Sequence, residues 1–147
     1  MKCPEYRSGN QQPFVGEDTM NTTSSIFMVV TATFFLLLFG LPIVISPMRW
    51  ARRIGWEIPD DTDLANYLGR SLGALALPLI ILMYIGARDP WEYRVVFDLA
   101  ILSGIFLLAV HVYGFMKKSQ PLFEHLEIIM YTAFLLLTWY FYPQPPV

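Results

Sequence analysis

The chain has 147 residues, of which 55% are hydrophobic and only 15% charged, and its formal net charge is −2. Soluble domains carry about 25% charged residues and nucleic-acid binding needs a basic surface, so the composition excludes an ordinary soluble domain and a nucleic-acid-binding protein. The single cysteine, Cys3, excludes an internal disulfide and a thiolate metal cluster.

The predicted architecture follows from a polar start and four apolar segments. Residues 1–24 are polar, and we expect an N-terminal extension that lacks regular structure on its own. The apolar segments cover residues 25–45, 64–86, 95–116 and 122–142. Each is close to the ~20 residues with which a helix crosses ~30 Å of hydrocarbon. The sequence therefore predicts an all-α integral-membrane four-helix bundle over residues 25–142, running up-down-up-down, and a proline-rich C-terminal tail over residues 143–147.

The segments between the predicted spans carry interface and turn residues. The first connector mixes arginines with Trp50 and Trp56, which suits a segment at the lipid headgroups. The acidic run 60–63 predicts a turn and an N-cap for the second span. Within that span, Pro78 leaves one backbone carbonyl without its donor and favours a kink. Residues 117–121 predict a tight turn, which makes the third and fourth spans an antiparallel hairpin.

The distribution of basic residues predicts an orientation. Most lysines and arginines near the spans lie in the first and third connectors: Arg49, Arg52, Arg53, Lys117 and Lys118. The positive-inside rule then places these two connectors in the cytoplasm and both termini outside.

This orientation brings several ionisable residues to the same depth, near the cytoplasmic boundary. They are Arg70, His111, Glu124, His125 and Glu127. A lone carboxylate at the depth of Glu127 is unfavourable in a membrane, so we expect Arg70 or His111 to pair with it. Glu124 shares a helix face with Glu127, whereas His125 points elsewhere. The group either fixes helix packing or lines a polar pocket for a lipid headgroup, a quinone or a proton.

The two histidines allow a cofactor interpretation. His111 and His125 flank the predicted turn at similar depth, and paired imidazoles can ligate haem iron, while one imidazole can ligate the magnesium of chlorophyll. Nothing in the sequence requires a cofactor. Because no Glu-x-x-His motif occurs on any span, we expect no carboxylate-bridged metal site and no bound metal ion.

Two further patterns concern helix packing. Gly69 and Gly73 give the second span a face of small residues, and Gly40 lies at a matching depth on the first, so we expect close packing there. Near the opposite boundary, Asp98 follows Arg94 by one helical turn, which favours an ion pair between them or a contact of Asp98 with Arg88.

One stretch supports a family resemblance. Residues 67–77, which read Tyr-Leu-Gly-Arg-Ser-Leu-Gly-Ala-Leu-Ala-Leu, are followed by Ala-Arg-Asp-Pro at 87–90 and by Arg94. This pattern, with a histidine late in the third span, resembles the middle of DoxX-like small four-span bacterial membrane proteins over about residues 64–116. The resemblance implies a compact four-helix fold in a bacterial inner membrane and little about activity. Together with the orientation above, it makes us expect both termini in the periplasm.

The sequence lacks a phosphate-binding glycine loop, a nucleophile elbow and a metalloprotease helix motif, so we do not expect an enzyme. This lack, with an aromatic content of 16%, favours a non-catalytic accessory subunit that packs against other integral-membrane subunits, in an electron-transfer or photosynthetic complex. One alternative is a stand-alone protein that binds or transports a lipid, quinone or proton through the polar pocket. The other is a haem or chlorophyll carrier that uses His111 and His125.

Overall fold

The structure is a computed structural model that describes the backbone of residues 15–145 and the side chains of residues 21–145. The described chain is helical and contains no strand. Its elements are α1 (Val15–Phe35), a π-helical turn (Leu36–Gly40), α2 (Leu41–Ile45), α3 (Pro47–Arg53), α4 (Asp63–Gly86), α5 (Val95–Lys117) and α6 (Leu122–Tyr140).

Four helical segments are long and apolar enough to cross a membrane, which confirms that part of the predicted fold. They are Asn21–Ile45, which joins α1, the π turn and α2, and then α4, α5 and α6. At most 28% of the most apolar window of each segment is buried inside the protein. Large apolar side chains such as Leu75 and Phe106 lie on the outer surface. Such a surface is compatible with direct contact to lipid.

The first helix begins earlier than expected. Because α1 starts at Val15, the prediction of irregular structure is wrong for residues 15–24. Extending an existing helix fixes one residue for each hydrogen bond gained, so a polar segment can continue a long apolar helix. Ser24 also contributes, since its hydroxyl donates a 2.7 Å hydrogen bond to the carbonyl of Phe141. The remainder of the predicted extension, with Cys3, lies outside the described residues.

Proline and serine shape the end of the first span. Pro42 has no N–H to offer the carbonyl of Leu38, and the indole Nε1 of Trp50 donates to that carbonyl instead, at 2.8 Å. The helix then breaks at Ser46, and Pro47 occupies the first turn of α3. The segment from residue 46 to residue 62, which we call the connector, therefore folds back on the end of the first span.

Glycines allow close contact between α4 and the segment formed by the π turn, α2 and the start of α3. A Cβ atom on Gly73 would lie 2.6 Å from Cγ2 of Val44, and one on Gly69 would lie 2.6 Å from Cβ of Pro47. A Cβ on Gly40 would approach Ile80 to 3.0 Å. Side chains larger than hydrogen do not fit at these spacings without movement, so the backbones of the two segments meet directly.

The helices pack in two groups that share α4. Both α1 and α2 contact α4, which in turn contacts α5, and α5 packs along α6. A turn with Lys118 in the left-handed conformation (φ 52°) joins α5 to α6. The apolar core lies towards the end of the protein remote from this turn, and it contains Met28, Ala32, Ile80, Met83, Val96 and Phe97.

The expected ion pair between Arg94 and Asp98 is not formed. Instead, the hydroxyl of Tyr142 donates a 2.8 Å hydrogen bond to Oδ1 of Asp98. The guanidinium of Arg94 lies over the ring of Trp91, 4.7 Å from its centroid, and donates to the Trp91 carbonyl. Because Arg94 precedes α5 as its N-cap, its side chain follows the turn rather than the helix face that carries Asp98.

Candidate functional site

Three buried ionisable side chains meet where α5 and α6 leave their shared turn. His111 of α5 places its Nε2 atom 2.8 Å from Oε2 of Glu127 and 3.2 Å from Oε2 of Glu124. The three residues, which we call the polar cluster, are 8%, 6% and 5% exposed, respectively. The two glutamates lie three residues apart and therefore share one face of α6. The structure brings together three of the residues predicted to share one depth.

The imidazole of His111 is held by its own helix. Its Nδ1 atom lies 2.7 Å from the backbone carbonyl of Leu107, one turn earlier in α5. A carbonyl oxygen only accepts hydrogen bonds, so Nδ1 carries the proton of this bond. This bond directs Nε2 towards the two carboxylates.

The connector completes the cluster through Trp56. Its indole Nε1 donates a 2.7 Å hydrogen bond to Oε1 of Glu124. The preceding residue, Gly55, adopts φ 96°, a conformation that side-chain-bearing residues rarely adopt. This turn directs the chain from the end of α3 towards α6. Glu124 is thereby held through one oxygen by Trp56 and through the other by His111.

A cavity of about 370 Å³ borders the polar cluster. It lies between all four membrane-spanning segments and the connector, and its wall is largely apolar. Tyr131 lines it one turn beyond Glu127, with its ring centroid 5.0 Å from that of His111. Other lining residues include Phe35, Phe39, Trp50, Trp56, Gly69, Gly73, Ala76, Ser103, Leu107 and Phe134. The cavity therefore combines hydrocarbon and aromatic walls with ionisable groups at one end.

Arg70 lies outside the polar cluster. Its side chain is exposed and does not line the cavity, whereas its neighbour Gly69 does. Successive residues of an α-helix point about 100° apart, so the rotation that packs Gly69 and Gly73 against the end of the first span and the start of the connector turns Arg70 away. The partner of Glu127 is therefore His111 and not Arg70.

The two histidines do not face each other. The ring of His125 is partly exposed and packs edge-on against Phe115, with centroids 4.8 Å apart. Nδ1 of His111 faces the carbonyl of Leu107 and Nε2 faces the glutamates, so neither nitrogen is directed at His125. The arrangement does not supply the paired imidazoles that the haem interpretation requires.

Sequence reasoning missed two groups and one possibility. The sequence assigns Trp56 only to the membrane interface, because it lies far from the glutamates in the chain. Tyr131 is not among the predicted site residues, although it follows Glu127 by four residues and therefore shares its helix face. The expectation of no metal site rested on the lack of Glu-x-x-His. The structure instead places a Glu-x-x-Glu pair of α6 beside His111 of α5, with ligand atoms all within 4.8 Å of one another.

Comparison of the chain with protein-family models, with curated proteins and with solved structures gives no match. The DoxX-like resemblance stays a prediction. Chemically, the site can hydrogen-bond a polar group, exchange a proton with it or hold a cation, and its walls can bury a hydrocarbon or aromatic body.

Proposed function

We propose that this protein is an integral-membrane binding protein that holds a lipophilic molecule with a hydrogen-bonding head, of the quinone class, in the cavity between its spans. The observation that carries the proposal is the junction of an apolar cavity with the buried polar cluster. Ligand sites are typically apolar concavities in which a few polar groups fix the orientation.

The walls of the cavity suit the body of such a ligand. Phe35, Phe39 and Phe134 present aromatic surface from two different spans. The volume of about 370 Å³ falls within the range of roughly 300–1,000 Å³ typical of small-molecule sites. A ring bearing an alkyl chain would bury apolar surface there while its chain follows the gap between helices.

The polar end suits a head that both accepts and donates hydrogen bonds. In the described chain, the hydroxyl of Tyr131 forms no hydrogen bond with a protein group, so it is available to a ligand oxygen. Among the described groups, only His111 forms a hydrogen bond or ion pair with Glu127, through Oε2, which leaves the second carboxylate oxygen able to accept a hydrogen bond. A quinone carbonyl can accept from the tyrosine, and a quinol hydroxyl can donate to the carboxylate.

The membrane arrangement forms part of the proposal. We infer an up-down-up-down four-helix bundle in a bacterial inner membrane, with both termini periplasmic, supported by the basic first and third connectors. The polar cluster would then lie near the cytoplasmic side.

The accessory-subunit hypothesis stays a prediction, which copurification in mild detergent would test. One sequence feature behind that hypothesis is the high aromatic content, and aromatic side chains at the end of α6, such as Trp139 and Tyr140, are exposed. Aromatic residues that anchor a protein at the membrane interface occupy the same position, so this exposure does not distinguish a subunit contact from a lipid contact.

Quenching of tryptophan fluorescence tests ligand binding directly. Trp50 and Trp56 line the cavity, so a short-chain alkyl benzoquinone bound there should quench their emission saturably in protein reconstituted into nanodiscs. Replacing Ala76, which lines the cavity, by leucine should weaken binding about tenfold, a free-energy change of about 1.4 kcal/mol.

The matched control is Ala74→Leu, since Ala74 lies on the exposed side of the same helix. This variant should bind the benzoquinone like the unmodified protein. Glu127→Gln should also weaken binding, because the ligand loses a charged acceptor. Quenching that rises linearly with quinone concentration, or equal affinities for the two leucine variants, would contradict the proposal.

A further inference from the structure

We propose that the polar cluster is a binding site for one divalent transition-metal cation, with Nε2 of His111 and one carboxylate oxygen each from Glu124 and Glu127 as ligands. These atoms lie within 4.8 Å of one another, and all three residues are more than nine-tenths buried. The site does not depend on the proposed quinone ligand. It adds a cation of the Zn²⁺ or Mn²⁺ class to the chemistry of the protein.

The orientation of His111 is that of a metal ligand. Metal-binding histidines usually donate their second ring N–H to a carbonyl or carboxylate, which fixes the ring and leaves the other nitrogen free to ligate. Here the carbonyl of Leu107 receives that bond from Nδ1 at 2.7 Å. In a neutral imidazole the lone pair of Nε2 then faces oxygen atoms of both glutamates. Three acceptors that face one another require a cation or a proton between them.

Trp56 fixes the orientation of the Glu124 carboxylate. It donates to Oε1 of Glu124 at 2.7 Å and leaves Oε2 of the same carboxylate directed at His111. Hydrogen bonds of this kind orient ligating carboxylates in metal sites. Two of the three proposed ligands therefore have a supporting hydrogen bond. That of His111 comes from α5, and that of Glu124 comes from the connector.

The distances are close to those of a metal site. With metal bonds of about 2.0–2.1 Å in tetrahedral geometry, ligand atoms lie about 3.4 Å apart. Nε2 of His111 lies 2.8 Å from Glu127 and 3.2 Å from Glu124. To admit the ion, Nε2 of His111 would move about 0.6 Å further from the Glu127 oxygen and about 0.2 Å further from the Glu124 oxygen. The adjoining cavity leaves space for this movement and for water as a further ligand.

The charge balance favours a dication. Two carboxylates beside a neutral imidazole carry a charge of −2, which a divalent cation neutralises within the apolar interior. In the described part of the chain, neither glutamate forms an ion pair with a lysine or arginine, and Arg70 is exposed. One nitrogen and two carboxylate oxygens suit Zn²⁺ or Mn²⁺ better than a soft ion that prefers sulfur.

Titration with Co²⁺ tests the site, because its visible absorption reports ligation directly. The full chain, without an affinity tag and treated with a chelator, is reconstituted into nanodiscs and titrated with Co²⁺, and then with Zn²⁺ as competitor. We expect one Co²⁺ per chain, displaced by Zn²⁺. Because loss of a merely supporting contact weakens metal affinity about 10–100-fold, Glu127→Gln should weaken it at least about tenfold.

Glu92→Gln is the matched control, since Glu92 is exposed in the turn between α4 and α5. It should bind Co²⁺ like the unmodified protein. If the glutamine variant of Glu127 fails to fold, Glu127→Asp keeps the charge, and its shorter side chain should still weaken Co²⁺ binding. A protein that gives no saturable Co²⁺ spectrum, or equal affinities for the Glu92 and Glu127 variants, would overturn the proposal. Quinone binding is measured by tryptophan emission, so the two proposals can fail separately.

Discussion

Replacing Trp56 by phenylalanine tests how strongly the connector is fixed to the polar cluster. The substitution keeps an aromatic ring but removes the N–H that donates to Oε1 of Glu124 at 2.7 Å. Glu124 is only 5% exposed, so water cannot readily replace the lost donor. A hydrogen bond to a charged group contributes about 1.5–3 kcal/mol. We therefore expect Trp56→Phe to lower the free energy of unfolding by about 2 kcal/mol.

The same substitution at Trp50 provides the control. Trp50 is also partly buried and also donates through its indole nitrogen, but to the uncharged carbonyl of Leu38 at 2.8 Å. Such a bond contributes about 0.5–1.5 kcal/mol. Unfolding by SDS in mixed micelles, followed by circular dichroism, measures both variants. If Trp50→Phe destabilises the protein as much as Trp56→Phe, the charged bond to Glu124 does not hold the connector.

Two further predictions concern other contacts. Gly73→Ala should lower stability in the same SDS assay, because its Cβ would lie 2.6 Å from Cγ2 and 2.9 Å from the backbone nitrogen of Val44. Overpacking of this kind costs about 1–3 kcal/mol. The better helix propensity of alanine offsets about 1 kcal/mol of that cost at most. Gly104→Ala meets only side-chain atoms and should cost less, and the reverse order would contradict the close packing. Burial and the hydrogen bond to Asp98 raise the pKa of Tyr142, so its contribution to stability is complete below about pH 10 and is lost as the pH rises through the raised pKa. Tyr142→Phe should therefore flatten the alkaline loss of stability, and a profile unchanged from that of the unmodified protein would contradict this role.

The spans could be predicted because the bilayer imposes a length on them. The apolar segment that begins near residue 95 matches α5 to within one residue, since charged and turn-forming residues bound it on both sides. The start of α1 could not be predicted in the same way. Hydropathy marks where a helix meets water, whereas the backbone hydrogen bonds of α1 continue to Val15.

The depth of the site residues along the spans could be predicted from the sequence, but the direction in which each side chain points from its helix could not. A rise of about 1.5 Å per residue places His111, Glu124 and Glu127 at one level once the order of the spans is known. The direction in which each side chain points depends on which helix faces are packed. For α4 this direction is set by Gly73 and Gly69, which contact the end of the first span and the start of the connector, respectively. Arg70 then points outward. Only the packed structure distinguishes Arg70 from His111 as the partner of Glu127.

The contribution of the connector to the site cannot be predicted from local sequence patterns. Trp56 and Glu124 lie 68 residues apart in the chain, and their contact depends on irregular backbone at both ends of α3. The break at Ser46 reverses the chain after the first span, and Gly55 turns it again towards α6. A regular helix in place of either break would carry Trp56 away from the cluster. The irregular connector and the buried carboxylates therefore form one unit, in which the loop supplies the hydrogen bond that the spans alone leave unmade.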